Sequence, residues 1–261
     1  MKTSVIAERQ LTIRNEFPAV KFVRNLPKDS PIGWYRHLLV HDKPAYFLGN
    51  VCGSCSFLFQ KEGTDTPKVD TARIAKELNS GLSSISDTVI EAARQILPSG
   101  EYQVYLLEVS PKLVESGAEE DYFSKEQPVL WEDEPESTET EYYRCRDRKF
   151  AKRAALYEFI APSFHHDKLD QNTITDYRRR IAEGERPTAI AISVLDTKQP
   201  ALWDEKLEII DPRCLVHFLL DGHHKTYAAA AEHKPITILS FLHKQECVAT
   251  NELLEESLRS L

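Results

Sequence analysis

The segment of the chain that is richest in chemically reactive side chains reads Phe-Leu-Leu-Asp-Gly-His-His-Lys-Thr-Tyr-Ala-Ala-Ala and occupies residues 218–230. Its apolar start predicts a buried strand, and the alanines at its end predict a helix. The first backbone N–H groups of a helix have no partner within it and lie at the positive end of its dipole, so they can bind an anion. We therefore predict a phosphate-binding site at the start of this helix, formed by Gly222, His223, His224, Lys225 and Thr226.

The side chains of this turn favour an anionic ligand. Gly222 allows a sharp turn and lets a ligand approach the backbone. His223, His224 and Lys225 place cations where the helix dipole disfavours them, and a bound phosphate would neutralise them. Replacing His224 and Lys225 by alanine is then predicted to abolish nucleotide binding and to leave the stability of the fold unchanged or slightly higher. In the alternative interpretation, Asp221 only caps the helix and both histidines lie in solvent.

Three carboxylates are candidates for catalysis beside this phosphate site. Asp221 could accept a hydroxyl proton or hold Mg²⁺, and both tasks need a carboxylate next to the phosphates. Glu183 and Glu185 come just before a predicted strand over residues 188–195 and could face the same cleft. Asp221, Glu183 and Glu185 are therefore the predicted catalytic residues for phosphoryl transfer or hydrolysis.

Residues 157–245, which make up under half of the chain, resemble the ParB/sulfiredoxin-like superfamily. The most specific part of this resemblance is Asp-Gly-His-His-Lys at residues 221–225. The other parts are, in chain order, Ile174 to Ile181, Gly184, Arg186-Pro187, residues 189–195, residues 218–220, residues 228–230 and residues 236–238. The resemblance implies a nucleotide that is bound by the turn and helix after the strand.

Within this superfamily the turn is nearest to that of the free serine kinases. Sulfiredoxins have a catalytic cysteine where His223 stands, so their chemistry is expected to be absent. Chromosome-partitioning members have Gly-Glu-Arg-Arg at this turn and a DNA-reading domain after it, which makes partitioning an unexpected function here. Relative to the kinases, Lys225 stands where an arginine is usual, and His224 stands where a small hydroxyl residue occurs.

The function expected from these residues is nucleotide binding, and three classes of protein are compatible with it. The first is an ATP- or ADP-dependent small-molecule phosphotransferase or a nucleotide hydrolase. The second is a non-catalytic regulatory module that binds a nucleotide or a protein partner. The third is a nuclease, which the net charge of −8 disfavours, because nucleic-acid binders carry a basic excess that displaces phosphate counterions. The expected partners are a nucleotide and an unidentified small molecule, and no nucleic acid is expected.

The sequence Cys52-Gly-Ser-Cys55 predicts a second site in the N-terminal part of the chain. His37 and His41 precede it across a predicted hairpin, and two histidines with two cysteines could hold Zn²⁺ in a tetrahedral site. A redox-active cysteine pair is one alternative. In the other alternative the two cysteines are small buried residues between strands.

A pair of histidines, His165 and His166, follows Pro162 in a predicted loop and is followed by Asp167. Histidine is a common proton carrier and metal ligand. The pair either joins the phosphate cleft or is an ordinary pair of surface histidines.

An acidic stretch with one proline and no aliphatic residue follows Trp131, and it predicts a solvated connector. We predict an N-terminal α+β domain at 1–131, the connector at 132–148 and a ParB/sulfiredoxin-like domain at 149–261. The overall class is α+β, with a mixed α/β N-terminal part. A long surface loop within a single domain is the alternative.

Hydrophobic periodicity predicts the elements that position the phosphate site. Helices are predicted at 87–97, 153–158, 173–183 and 225–233, and strands at 102–109, 188–195, 216–220 and 236–242. A hairpin is predicted to join the strands 37–40 and 45–48 through the turn 41–44. The skeleton of the C-terminal part is therefore helix, strand, strand, helix, strand.

Composition places the chain among cytoplasmic proteins. No apolar run approaches the ~20 residues that a membrane span needs, and the N-terminus lacks the continuous apolar stretch of a secretory signal. The odd number of cysteines, five, argues against a disulfide framework and for a reducing compartment.

Overall fold

The computed structural model describes residues 3–24, 35–49, 55–63, 68–131, 138, 141–151, 153–198, 208–259 and 261. The strands in this part of the chain are β1 (Thr3–Ile13), β2 (Val20–Val23), β3 (Arg36–Val40), β4 (Lys43–Gly49), β5 (Leu58–Lys61), β6 (Gly100–Val109), β7 (Lys112–Val114), β8 (Tyr142–Ala151), β9 (Ala154–Ala161), β10 (Thr188–Thr197), β11 (Asp211–Asp221) and β12 (Ile236–His243). The α-helices are α1 (Ala75–Ser80), α2 (Asp87–Ile96), α3 (Gln127–Trp131), α4 (Gln171–Ala182), α5 (His223–Glu232) and α6 (Asn251–Arg259). The predicted α+β class is confirmed.

Two sheets form the framework of the described residues. The larger has eight strands in the order β1-β6-β12-β10-β11-β9-β8-β7, and the smaller has four in the order β2-β3-β4-β5. In the larger sheet β10 lies antiparallel to β11 and parallel to β12, while β9 lies parallel to β11. The order α4, β10, β11, α5, β12 matches the predicted skeleton of the C-terminal part.

The central strands of the large sheet are covered on both faces. One face packs Ile192 and Phe218 against the small sheet and α2, with the rings of Tyr46 and Phe218 4.8 Å apart. The other face packs Ala191 and Leu219 against the alanines of α5. Strands buried on both faces have nearly continuous apolar runs, which is why the sequence of these strands could be interpreted correctly.

A row of buried polar side chains crosses four neighbouring strands beneath the helices. The hydroxyl oxygens of Ser240 and Ser193 lie 2.9 Å apart, and Oγ of Ser193 lies 2.8 Å from Nδ1 of His217. Nε2 of His217 then lies 3.1 Å from Oε1 of Glu158. The row joins β12, β10, β11 and β9, and all four side chains are buried. It therefore helps to hold β11, the strand that ends at Asp221.

The predicted division at the acidic stretch differs from the structure. β6, from the predicted N-terminal domain, pairs with β12 from the predicted C-terminal domain, so one sheet contains strands of both. Residues 142–148 of the predicted connector belong to β8, where Tyr142, Tyr143 and Cys145 are buried. The acidic residues 132–137 lie outside the described residues. The charge run indicated a solvated segment but carried no information about strand pairing on either side of it.

One predicted helix is also a strand in the structure. Residues 153–158 fall largely in β9, which is buried along its whole length and pairs with β8 and β11. Pairing on both sides overrides the weak helical preference of this alanine-containing segment. Elsewhere the predictions fit better, since α2 begins after the Ser86 cap and the β3–β4 hairpin turns at His41 and Asp42, which both have positive φ.

No helix among the described residues is long and apolar enough to cross a membrane.

Candidate functional site

The turn between β11 and α5 is built on Gly222. Its φ of 100° lies in the left-handed region, and a Cβ placed on it would lie 2.5 Å from Cβ and 2.8 Å from Cα of Ala189. Only glycine therefore lets the turn pack directly on β10. The backbone N–H and the hydroxyl of Thr226 both donate to the Gly222 carbonyl, at 2.9 and 3.0 Å, and start the helix. The predicted sharp turn is present, and packing against β10 is sufficient to require the glycine.

Lys225 is a buried group that ties α5 to β10. Its side chain is 5% exposed, its Nζ donates to the Thr188 carbonyl at 3.0 Å, and it lies 3.7 Å from Oδ2 of Asp221. The Nζ also lies 6.0 Å from the centre of the Tyr177 ring. Burial lowers the pKa of Lys225, and the charge of Asp221 partly offsets this effect. The lysine is thus neutralised by its own neighbours, without a bound phosphate.

His223 is buried beneath the loop that leads from β9 to α4. Its Nε2 accepts a hydrogen bond from the Ser163 N–H at 3.0 Å, and the Phe164 ring meets its ring edge to face at 5.0 Å. Burial lowers the pKa of His223 to about 4, although Asp221 raises it in part. The imidazole is therefore neutral at pH 7. Because Nε2 accepts, its proton lies on Nδ1.

His224 is a half-buried neighbour of His223 with a similar role. Its Nε2 accepts from the backbone N–H of Asp170, the residue that caps α4, at 3.1 Å. Burial lowers the pKa of His224, and the charge of Lys68 lowers it further. The first turn of α5 thus carries two neutral imidazoles, which the helix dipole does not penalise as it would two cations.

A cavity of about 340 Å³ opens beside this turn. Its apolar lining is formed by Val69, Phe164, Leu169 and Leu220. Its polar lining is formed by Lys68, Thr71, Lys168, Asp221, His223 and His224. Three of the predicted site residues (Asp221, His223 and His224) therefore lie together, and two lysines from other segments supply positive charge. We call this cavity the α5 pocket.

The other predicted site residues do not line the α5 pocket. Thr226 is buried in the helix, and Lys225 points toward β10. At the far end of α4, Glu183 pairs with Arg179 at 3.0 Å and Glu185 pairs with Arg180 at 2.7 Å. Among the described residues that line the α5 pocket, Asp221 is thus the single carboxylate.

Lys68, Lys168 and Phe164 were missed by the sequence analysis. Lys68 precedes α1, whereas Phe164 and Lys168 belong to the loop between β9 and α4. The loop reaches the first turn of α5 because His223 and His224 accept hydrogen bonds from its two ends, at Ser163 and Asp170. The aromatic and histidine residues at 164–166 could have indicated that this loop belongs to the site. No feature of the sequence around Lys68 indicates that it does.

The predicted zinc site is only partly within the described residues, since Cys52 lies outside them. Cys55 is disulfide-bonded, which differs from the reducing compartment expected from the cysteine count, and a disulfide sulfur offers no thiolate to a metal. Nδ1 of His37 lies 2.8 Å from Oε2 of Glu62, and His41 is exposed in the hairpin turn. The zinc site therefore remains a prediction for the reduced protein.

The α5 pocket combines features suited to a small anionic ligand. Among the described residues no side chain caps α5, so the N–H groups of its first turn can donate to a ligand. Lys68 and Lys168 can pair with negative charge, and the Phe164 side can take an apolar or aromatic group. No protein-family model, no curated protein and no solved structure matches the chain.

Proposed function

We propose that the protein binds a nucleotide in the α5 pocket, with its phosphates at the start of α5. The observation that carries this proposal is the position of Lys68 and Lys168 beside the first turn of that helix, in one cavity with His223 and His224. Lysine side chains and helix N-terminal N–H groups are complementary to phosphate oxygens. The charge comes from Lys68 and Lys168, because Lys225 is buried elsewhere and the two histidines are neutral.

The shape and lining of the pocket support a ligand with an apolar part. Val69, Phe164, Leu169 and Leu220 supply apolar lining, against which a nucleobase can pack. The volume of about 340 Å³ lies at the lower end of the range that small-molecule sites occupy, roughly 300–1,000 Å³. A mononucleotide suits such a cavity better than a larger ligand.

Asp221 fits the role predicted for a magnesium ligand. Its side chain is 35% exposed and lines the pocket, and the Nζ of Lys225 lies 3.7 Å from its Oδ2 on the side of β10. A carboxylate next to phosphates is favoured when a cation lies between them. Mg²⁺ in proteins is commonly held by one or two carboxylates together with the phosphates of the ligand. Asp221 would therefore hold the ion, and the ion would neutralise the charge between the carboxylate and the phosphates.

The resemblance to the ParB/sulfiredoxin-like superfamily is a further argument for this proposal. It implies a nucleotide held by the turn and helix after the strand, which here are Asp221, Gly222 and α5. The proposed phosphate position coincides with that turn. The proposed site differs from the predicted one in its positive charges. They come from Lys68 and Lys168, whereas the sequence motif predicts them at His224 and Lys225.

The proposed role is that of a nucleotide-binding regulatory module. Phosphoryl transfer with two acids in the pocket would need Glu183 or Glu185, and both pair with arginines at the far end of α4. A phosphotransferase or hydrolase that uses Asp221 alone is the second candidate, which the position of Asp221 beside the proposed phosphates favours. A nuclease is the least supported, because its substrate would meet a chain of net charge −8.

Isothermal titration with AMP, ADP, ATP and inorganic phosphate, each with and without Mg²⁺, tests the binding proposal. We expect at least one nucleotide to bind, and we expect Lys168→Gln and Lys68→Gln to weaken it about tenfold each. The matched control is Lys234→Gln, which changes an exposed lysine outside the pocket. The proposal would be contradicted if no nucleotide binds. It would also be contradicted if the Lys68→Gln/Lys168→Gln double variant binds as tightly as the unmodified protein.

A second measurement distinguishes the two candidate roles. Phosphorus NMR of ATP incubated with the protein reports any cleavage or transfer of a phosphoryl group. Unchanged ATP in the presence of measured binding supports the regulatory module. Formation of ADP that is abolished by Asp221→Asn would instead favour the enzyme.

A further inference from the structure

A second cluster of donor side chains lies outside the pocket lining, at the loop between β9 and α4. It consists of Glu141, His165 and His166, whose possible ligand atoms all lie within 4.8 Å of one another. Nε2 of His165 lies 3.4 Å from Oε2 of Glu141, and Nδ1 of His166 is hydrogen-bonded to the same carboxylate oxygen. Ligands bound to Zn²⁺ at about 2.0–2.2 Å in a tetrahedral site lie roughly 3.3–3.6 Å apart, which is close to the His165–Glu141 separation.

The members of the cluster are held in place by the surrounding fold. The Glu141 side chain is 2% exposed at the start of β8, and its Oε1 accepts from the His166 N–H at 2.6 Å. The His166 ring stacks on the ring of Tyr227 in α5, at 5.2 Å and with an angle of 6° between the planes. A buried carboxylate and a stacked imidazole have few other orientations open to them. The fold therefore keeps the three donor groups together, and the direct hydrogen bond between His166 and Glu141 would open to admit the ion.

Asp167 lies beside the second ring nitrogen of each histidine. Its Oδ1 lies 3.1 Å from Nε2 of His166, and its Oδ2 lies 3.2 Å from Nδ1 of His165. Carboxylates that accept from the second nitrogen of a metal-bound imidazole fix the ring orientation and raise the basicity of the ligand atom. The carboxylate of Asp167 is placed for this role at His166, whereas Nδ1 of His165 accepts a hydrogen bond from the Asp167 backbone N–H at 3.4 Å. Glu141 faces the nitrogens that would bind the ion.

We propose that Glu141, His165 and His166 bind a divalent transition-metal ion such as Zn²⁺. Two imidazoles and one carboxylate are a donor set that Zn²⁺ uses in sites that leave a position open for water or a ligand. His165 is 44% exposed, so an ion there is accessible from solvent. The site contains no sulfur and is separate from the zinc site predicted at Cys52 and Cys55. It does not depend on nucleotide binding.

The position of the cluster gives the ion a structural effect on the α5 pocket. Phe164 and Lys168, which line that pocket, flank the two histidines in the chain. An ion held by β8 and this loop would fix the loop between its two ends. Bound metal is therefore expected to stabilise the loop that forms one wall of the pocket.

Titration of the full chain with metal ions tests the proposal. The protein is first treated with a chelator, without reductant so that the Cys55 disulfide persists, and then titrated calorimetrically with Zn²⁺. We expect saturable binding that weakens about tenfold or more in His165→Ala and in Glu141→Gln. His233→Asn is the matched control, because it removes a histidine at a left-handed position that asparagine tolerates. It should bind Zn²⁺ as the unmodified chain does.

Co²⁺ supplies an independent readout of the ligand atoms. We expect visible absorption bands of a nitrogen- and oxygen-ligated ion without the near-ultraviolet band of a cobalt–thiolate bond. A thiolate band, or Zn²⁺ binding unchanged in both variants, would overturn the proposal. If Glu141→Gln fails to fold, His165→Ala still tests the proposal, because removing this exposed side chain should not disturb the core.

Discussion

The backbone N–H of Ser163 donates a hydrogen bond to Nε2 of His223 across 3.0 Å, and this contact joins the end of β9 to the start of α5. A second contact of the same kind joins Asp170 to His224 at 3.1 Å. Both ends of one loop are thus held by adjacent histidines. The two imidazoles act as hydrogen-bond acceptors, and this role requires them to be unprotonated.

The first prediction concerns the dependence of stability on pH. The pKa of His223 is lowered from 6.5 in a free side chain to about 4 in the folded protein. Between these values the unfolded chain binds the proton and the folded protein does not, so stability falls as the pH falls from about 6.5 toward 4. This group alone should remove about 2 kcal/mol from the free energy of unfolding between pH 7 and pH 5.

Urea denaturation at pH 7 and pH 5 measures this effect. The comparison variant is His223→Gln, which keeps a side-chain acceptor near the position of Nε2 and does not titrate. We expect the loss of stability between the two pH values to be smaller in this variant by about 2 kcal/mol. Equal losses in the two proteins would show that His223 does not change its protonation between them.

The second prediction reverses the expectation that followed from the sequence for Lys225. Lys225→Met keeps the length of the side chain but leaves the buried Thr188 carbonyl without its donor and Asp221 without its cation. We expect the free energy of unfolding to fall by about 1–3 kcal/mol. Lys234→Met, at an exposed position, should change it by less than about 0.5 kcal/mol.

Nucleotide titration of the same Lys225→Met variant completes this test. Since Lys225 does not line the α5 pocket, the folded variant should keep most of its affinity. Full stability combined with lost binding would restore the interpretation in which Lys225 pairs with a phosphate.

The third prediction separates backbone strain from steric contact at Gly222. Gly222 and Gly184 have φ values of 100° and 102°, but a Cβ at Gly184 meets no atom within 4 Å, whereas at Gly222 it meets Ala189 at 2.5 Å. Gly184→Ala should cost about 1–2 kcal/mol from the left-handed backbone alone. Gly222→Ala should cost roughly 1–3 kcal/mol more, because the collision with β10 is added.

Thermal or urea denaturation of the two glycine variants is the measurement. If the two variants lose the same free energy of unfolding, the turn at Gly222 can shift away from β10 without losing stability.

In the C-terminal half, the sequence predicts where the strands and helices lie more successfully than it predicts which strands pair with one another. The runs at 188–195 and 236–242 predict strands because they are mostly apolar, and the structure shows why, since both faces of these strands are buried. The sequence wrongly predicts a helix over part of β9, because this segment becomes a strand through pairing with β8 and β11.

The candidate site was predictable only where its residues are neighbours in sequence. Asp221, His223 and His224 follow one another and could be grouped, whereas Lys68 reaches the pocket through tertiary packing alone. The charges of the turn were also misjudged. Burial makes the two histidines neutral and pairs Lys225 with Asp221, and burial cannot be read from a short motif.

The row of Ser240, Ser193, His217 and Glu158 has a consequence for how the strands align during folding. Segments such as Ile-Ala-Ile-Ser-Val-Leu at 190–195 offer almost the same apolar contacts in several registers. A slip of one residue would turn His217 to the opposite face of the sheet and leave the Glu158 carboxylate without this partner. The row therefore selects one alignment of β11 against its neighbours, and that alignment determines where Asp221 ends the strand and where α5 begins.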